Sequence, residues 1–202
     1  LNNRYTLSKE LASKIVSDIR TAAGADANII GEGGYILASY DPQRVGNFHE
    51  GGKRILSGEL DEISVTKDVA ASMQGMRTGY VGVVKVEGQR VAAIAITGDP
   101  ETAKPIQKMA EIALREDIRR EMEIHREREI VRAMETQIMD IAEQMKVLSL
   151  NGSIQAAKIG EGGKAFKIVV AEMRKLAEKI NEVINAIHLS TGGRGDGENA
   201  AP

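Results

Sequence analysis

The sequence contains no cysteine and no tryptophan, and aromatic residues make up only 3% of its 202 positions. The first absence removes disulfides, thiol nucleophiles and thiolate metal sites. The shortage of aromatics removes the stacking platforms that hold single-stranded nucleic acid. No window of about 18 apolar residues occurs, so no transmembrane helix is expected. The first ten residues, LNNRYTLSKE, lack the apolar stretch of a signal peptide. They begin with Leu1, so the chain reads as trimmed or as a fragment. A formal net charge of -2 gives no electrostatic case for a nucleic-acid partner. Together these absences point to a cytoplasmic protein without a membrane or nucleic-acid partner.

What is present is an apolar fraction of 42%, enough for a core and for one or two domains. Leu7, Leu11, Ile15 and Ile19 recur at four-residue spacing, which predicts an amphipathic helix to about Ala23. ANIIGEGGYILAS holds two short apolar runs around Gly31–Gly34 and predicts a β-hairpin. In DPQRVGNFHEGGKRILSG, Asp41 and Pro42 read as the cap and first turn of a helix ending at Gly58. TGYVGVVKVEGQRVAAIAITG predicts a second hairpin turning at Glu87-Gly88-Gln89, and Asp99-Pro100-Glu101 starts a long helix. The expected class is α+β: a small sensor-like antiparallel sheet with flanking helices, then a long helix and an antiparallel coiled-coil hairpin.

From Thr102 the pattern is helical throughout. Residues 115–130 carry both charge signs at three- and four-residue spacing and read as a solvated connecting helix, His125 included. Val131, Met134, Ile138, Ile141, Met145 and Leu148 then step by threes and fours. Phe166, Val169, Met173, Leu176, Ile180, Val183 and Ile187 repeat the pattern after Gly160, Gly162 and Gly163. These are the a and d positions of two heptad arms joined by a turn. Two helices cannot bury both seams, so a second hairpin is expected to complete a four-helix bundle, making the chain a homodimer. The implied organisation is a sensor domain over 1–114, the connecting helix over 115–130, the hairpin over 131–188 and a disordered tail over 189–202.

Asp140–Lys179 closely resembles the cytoplasmic signalling tip of methyl-accepting chemotaxis receptors. The likeness rests on Ile141-Ala142-Glu143-Gln144, Leu150-Asn151, Ile154, Ala156-Ala157, Gly160-Glu161, Gly163, Phe166, Val169-Val170-Ala171-Glu172 and Arg174-Lys175-Leu176-Ala177-Glu178. It implies a hairpin turn at the glycines, dimers, and contact with a chemotaxis histidine kinase or coupling protein through Asn151, Ile154, Glu161 and Phe166. Gly152, Ser153, Gln155, Lys158, Ile159 and Lys164 depart from that family's usual alanine, alanine, glutamate, arginine, alanine and arginine. The departures imply a weaker kinase contact, since lysine lacks the planar fork of arginine.

LASKIVSDI, DPQRVGNFHEGG and GMRTGYVGVVKVEGQRVAAIAITGDPE resemble the sugar-diacid recognition domain, the sensor half of carbohydrate-diacid regulators. The likeness runs from near Thr6 to near Arg115. It implies a small organic acid as ligand, a sugar diacid or a hydroxy acid, with Arg44, Gly46, His49, Gly51, Arg77, Gly79, Thr97 and Gly98 around it. Arg44 and Arg77 would clamp carboxylates bidentately. Gly46, Gly79 and Gly98 would let backbone N–H groups approach. A helix starting near Arg44 would favour an anion at its N-terminus. Those regulators end in a helix-turn-helix, which the receptor-like hairpin replaces here. No catalytic residue, cofactor or metal is expected. Two rivals stay open: an enzyme acting on a sugar acid with His49 as base, and a dimerisation module with a vestigial pocket.

Overall fold

The computed structural model describes residues 5–192, with side-chain surroundings for 5–188. It divides into two compact units, Leu1–Ile124 and His125–Pro202.

In the first unit, helix α1 (Lys9–Ala23) starts where the Leu11 N–H donates to Ser8 Oγ at 3.2 Å and stops at Gly24, whose N–H donates to the Arg20 carbonyl. Its buried face is Leu11, Ile15, Val16 and Ile19. Strands β1 (Ala27–Ile30) and β2 (Ile36–Ser39) form the first hairpin. After helix α2 (Glu50–Leu56) come β3 (Glu62–Val65) and helix α3 (Lys67–Ser72). The second hairpin is β4 (Gly79–Val86) and β5 (Gln89–Thr97), joined by the two-residue turn Glu87-Gly88. All strand pairs are antiparallel, in the order β2-β1-β5-β4-β3.

The sheet is covered on both faces, so its central strands are apolar on both sides. Ile29, Tyr80, Val84, Ile94 and Ile96 meet α1 and the first turns of helix α4 (Pro100–Ile159), which contribute Ile15, Ile19, Ala110, Leu114 and Ile118. Ile30, Val81, Val83, Ala93 and Ala95 meet Ile55 of α2 together with Val65 and Met76. Helix α4 begins as expected: Pro100 opens it, and the Glu101 N–H donates to the Asp99 carboxylate at 2.9 Å.

Two expectations are corrected here. The single helix foreseen from Asp41 to Gly58 is two elements. Asp41 caps only a 3-10 turn, Pro42–Arg44, and α2 begins at Glu50. Between them the chain runs alongside β2, with the Gly46 N–H donating to the Ile36 carbonyl, the Ile36 N–H to the Asn47 carbonyl and the His49 N–H to the Gly34 carbonyl. Strand β3 and helix α3 are additional. On α4 the core cluster includes Ile118, with Met122 packed against it.

In the second unit α4 continues to Ile159, a tight turn covers Gly160–Gly163, and helix α5 (Lys164–Gly192) returns. Gly160 adopts φ +70°, a conformation that non-glycine residues resist, and this reverses the chain. Glu135 lies 3.6 Å from His188, and Gly152 abuts Val170, so the arms are antiparallel. A Cβ on Gly152 would come within 2.8 Å of the Val170 side chain, which gives this departure from alanine a packing reason. The residues buried between the arms recur every seven positions: Glu135, Ala142, Ser149 and Ala156 on α4, and Val170, Ala177 and Ile184 on α5. The d positions do not face the other arm. Met134, Ile141, Leu148, Val169, Leu176 and Val183 are each more than half exposed. Four small residues, Ala142, Ser149, Ala156 and Ala177, thus close much of the intrachain contact together with Val170 and Ile184, while the apolar d residues of each arm point outward. The helical backbone through Gly192 enters the span expected to be a disordered tail, and positions 193–202, with Arg194-Gly195-Asp196, lie outside the described residues.

Candidate functional site

The motif segments of the first unit meet at one end of the sheet. The Gly98 N–H donates to the Thr78 carbonyl at 2.9 Å, the Thr97 N–H to the Asp26 carbonyl, and the Tyr40 N–H to the Ala27 carbonyl. Arg77 forms an ion pair with Asp41 at 3.1 Å, and the Arg44 guanidinium donates to the Gly75 carbonyl. Two guanidinium groups therefore face one carboxylate. Burial presses the Arg44 pKa below the ordinary arginine value and the nearby Arg77 charge adds to this, while Asp41 opposes both. Arg77 is half exposed, whereas Arg44 is 9% exposed. One positive charge is left over where two elements converge, and that favours an anion.

His49 has a structural role that the sequence did not show. It is the N-cap of α2: its Nδ1 accepts from the Gly52 N–H at 3.0 Å. The side chain is 2% exposed. Burial, reinforced by Arg44, lowers its pKa to about 4, so it is neutral at pH 7, with the proton on Nε2. The expectation that a helix N-terminus near Arg44 holds an anion is corrected with it, since α2 starts six residues later.

The glycines divide in two. A Cβ on Gly51 would fall within 2.8 Å of Met76, and one on Gly79 would run into the Ile96 carbonyl oxygen, so both serve close packing. Gly46 and Gly98 have nothing within 4 Å of the same position, so there is open space beside them, although their N–H groups are already donated to the Ile36 and Thr78 carbonyls. Thr97 pairs with Gly79 across the β4–β5 ladder. Two contributors were not singled out as site residues from the sequence. Asp41 sets the charge balance, and Glu50 ties α2 to the 74–79 segment, its carboxylate accepting from the Gln74 N–H and its own N–H donating to the Gln74 carbonyl. Asp41 was legible as a cap, but its ion pair spans 36 residues, beyond the reach of a local pattern.

In the hairpin unit, Asn151 lies with Asp140, Glu143, Gln144, Val147 and Leu148 around a shallow depression on α4. Ile154 and Phe166 are about half exposed, and Glu161 pairs with Lys164 at the turn. Among the described residues no group of three or more His, Asp or Glu has the geometry to hold a metal ion, and no helix is long and apolar enough to cross a membrane.

A family model described as "Putative sugar diacid recognition" matches residues 7–140, and the chain belongs to that family. It is 30% identical over 101 residues to the carbohydrate diacid regulator of Escherichia coli strain K12, covering 50% of this chain and 26% of that protein. It is 33% identical over 101 residues to "Putative sensory transducer protein YvaQ" of Bacillus subtilis strain 168, covering 49% of this chain and 18% of the relative. Over its C-terminal part it is similar to the methyl-accepting chemotaxis protein McpC of the same strain, 43% identical over 63 residues, covering 28% of this chain and 10% of McpC. The chain thus spans between a tenth and about a quarter of these curated relatives.

Proposed function

We propose that this chain is a sensory signal-transduction module. Its first unit binds a sugar diacid or small hydroxy acid, and its hairpin self-associates and relays the binding event. The observation that carries the reading is the outward d row of the hairpin, an apolar face suited to a second copy, on the same continuous helix whose first turns close the sensor core. Ligand would favour one packing of the sensor, and α4 would carry the change onward as a population shift. Arg44 and Arg77 suit a diacid, because two cations match two carboxylates once Asp41 is displaced. Gly46 and Gly98 leave room for the ligand, since no side chain stands beside them, while their own N–H groups are held by the Ile36 and Thr78 carbonyls. The names of the relatives, a diacid regulator and sensory transducers, support sensing rather than turnover. The commitment of His49 to a helix cap weighs in the same direction, since a general base needs a free nitrogen. Contact with a chemotaxis kinase or coupling protein through Asn151, Ile154, Glu161 and Phe166 is a secondary part of the proposal.

A thermal-shift panel of sugar diacids tests it. An acid at about 100 times its Kd adds roughly 2.7 kcal/mol to stability. Arg77→Ala and Arg44→Lys should remove the shift while both proteins remain folded. Parent-like shifts in both variants would remove the arginine pair from the account.

A further inference from the structure

We propose that the sensor unit carries a second acid site, distinct from the arginine pair and built for a polyhydroxy monocarboxylate. A cavity of about 450 Å³ opens beside the Gly31–Gly33 turn, bordered by the start of β5 and the C-terminal half of α2. That size suits a six-carbon acid with room for water. Neither arginine of the motif site lines it.

The charges on its wall select the ligand. Arg90 is a wall residue whose charge is already spent: its guanidinium donates to the carbonyls of Ile55 at 2.8 Å and Leu60 at 3.0 Å and to the carboxylate of Asp61. Three of its N–H groups are thereby used, and Nε–H is among those left to donate. Lys53 and Glu32 also line the cavity, and neither side chain has a hydrogen-bond or ion-pair partner among the described residues. One uncompensated ammonium fits one carboxylate. One uncompensated carboxylate accepts hydrogen bonds from hydroxyl groups and repels a second acid group. The hydroxyls of Thr6, Tyr35 and Ser57 complete a polar rim, while Leu7 and Leu56 supply apolar floor for the carbon chain. The wall therefore fits an acid with one carboxylate and several hydroxyls. The arginine pair has a different charge balance, two cations to one anion, against one of each here.

Gluconate and glucarate separate the cases, because they share a carbon skeleton and differ by one terminal carboxylate. In calorimetry on the full chain, Lys53→Met should weaken gluconate binding by about tenfold or more, as expected for loss of a charge-assisted contact. Lys53→Arg should restore it, and Glu32→Gln should weaken gluconate while leaving any glucarate binding equal or tighter. The proposal is overturned if Lys53→Met binds gluconate like the parent, or if gluconate fails to bind the parent. If Arg77→Ala removes gluconate binding while Lys53→Met leaves it intact, this site falls and the sensor reading stands. If no sugar diacid of the thermal-shift panel binds either, the sensor reading falls with it.

Discussion

The two units treat their apolar residues in opposite ways. The sensor unit encloses them: Ile29, Ile30, Ile94, Leu114 and Ile118 have no exposed surface, and both faces of the sheet are covered by the chain itself. The hairpin spends small side chains, Ala142, Ala156 and Ala177, on its internal contact and leaves Ile141, Leu148, Val169 and Leu176 outside. Burying a Val, Leu, Ile or Met side chain contributes about 1.5–3 kcal/mol, so the six outward d positions represent a substantial unused driving force. The first unit is complete as a fold. The second leaves an apolar row outward, the face that the proposed function gives to a second copy of the same hairpin.

The sharpest way to break this contrast is to charge the outward row. Leu176→Asp or Ile141→Asp should leave the helical content of the hairpin intact, because neither residue faces the other arm. Either should cost the dimer several kcal/mol, since a buried unpaired carboxylate is poorly tolerated. Sedimentation velocity should show monomers. The same change at Ala177, which is fully buried between the arms, should lower helicity as well.

Close packing in the sensor unit gives the next effect. Gly75 has φ +74°, and a Cβ there would run into the Phe48 carbonyl oxygen. Gly75→Ala should destabilise the sensor by roughly 1–3 kcal/mol or more and loosen the segment that holds Arg44, seen as a lower urea midpoint. The dimer contact should be unaffected.

The sensor is also the pH-sensitive unit through His49. The unfolded imidazole takes its proton near 6.5 and the folded one only near 4, so the folded state binds fewer protons between these values. The contribution is complete above pH 6.5 and is lost as pH falls towards 4, on the order of 3 kcal/mol in all. His49→Gln should flatten urea midpoints measured across that window.

The smallest effect concerns a polar flaw in the sensor core. Gln107 of α4 is fully buried against Gly82 of β4, and neither its Nε2 nor its Oε1 has a hydrogen-bond partner. Gln107→Met keeps the shape and removes the unmet amide, so it should raise stability by about 1 kcal/mol. A fall in the urea midpoint would mean that the amide is satisfied in solution.

The sequence made the long apolar runs readable. The 79–97 hairpin, α1 and the two arms follow from period and turn residues alone. Strand β3 escaped because Glu62–Val65 buries only Val65 and has a polar neighbour at each step. The start of α2 escaped because the pairing of Gly46–His49 with the segment around β2 overrides the Asp41-Pro42 start signal. The heptads revealed that the arms exist but not which side closes, since small residues such as Ala142 and Ala156 carry little weight in an apolar pattern. At the site, Arg44 and Arg77 were legible as cations in glycine-bearing motifs. The acceptor of Arg44 lies 31 residues away, and the capping role of His49 depends on where α2 begins, so neither was readable locally.

Sedimentation equilibrium of the unmodified chain at micromolar concentration tests the central contrast most directly. The outward apolar row predicts a dimer that Leu176→Asp converts to monomer. A parent chain that stays monomeric, or a dimer that survives both Leu176→Asp and Ile141→Asp, would contradict it.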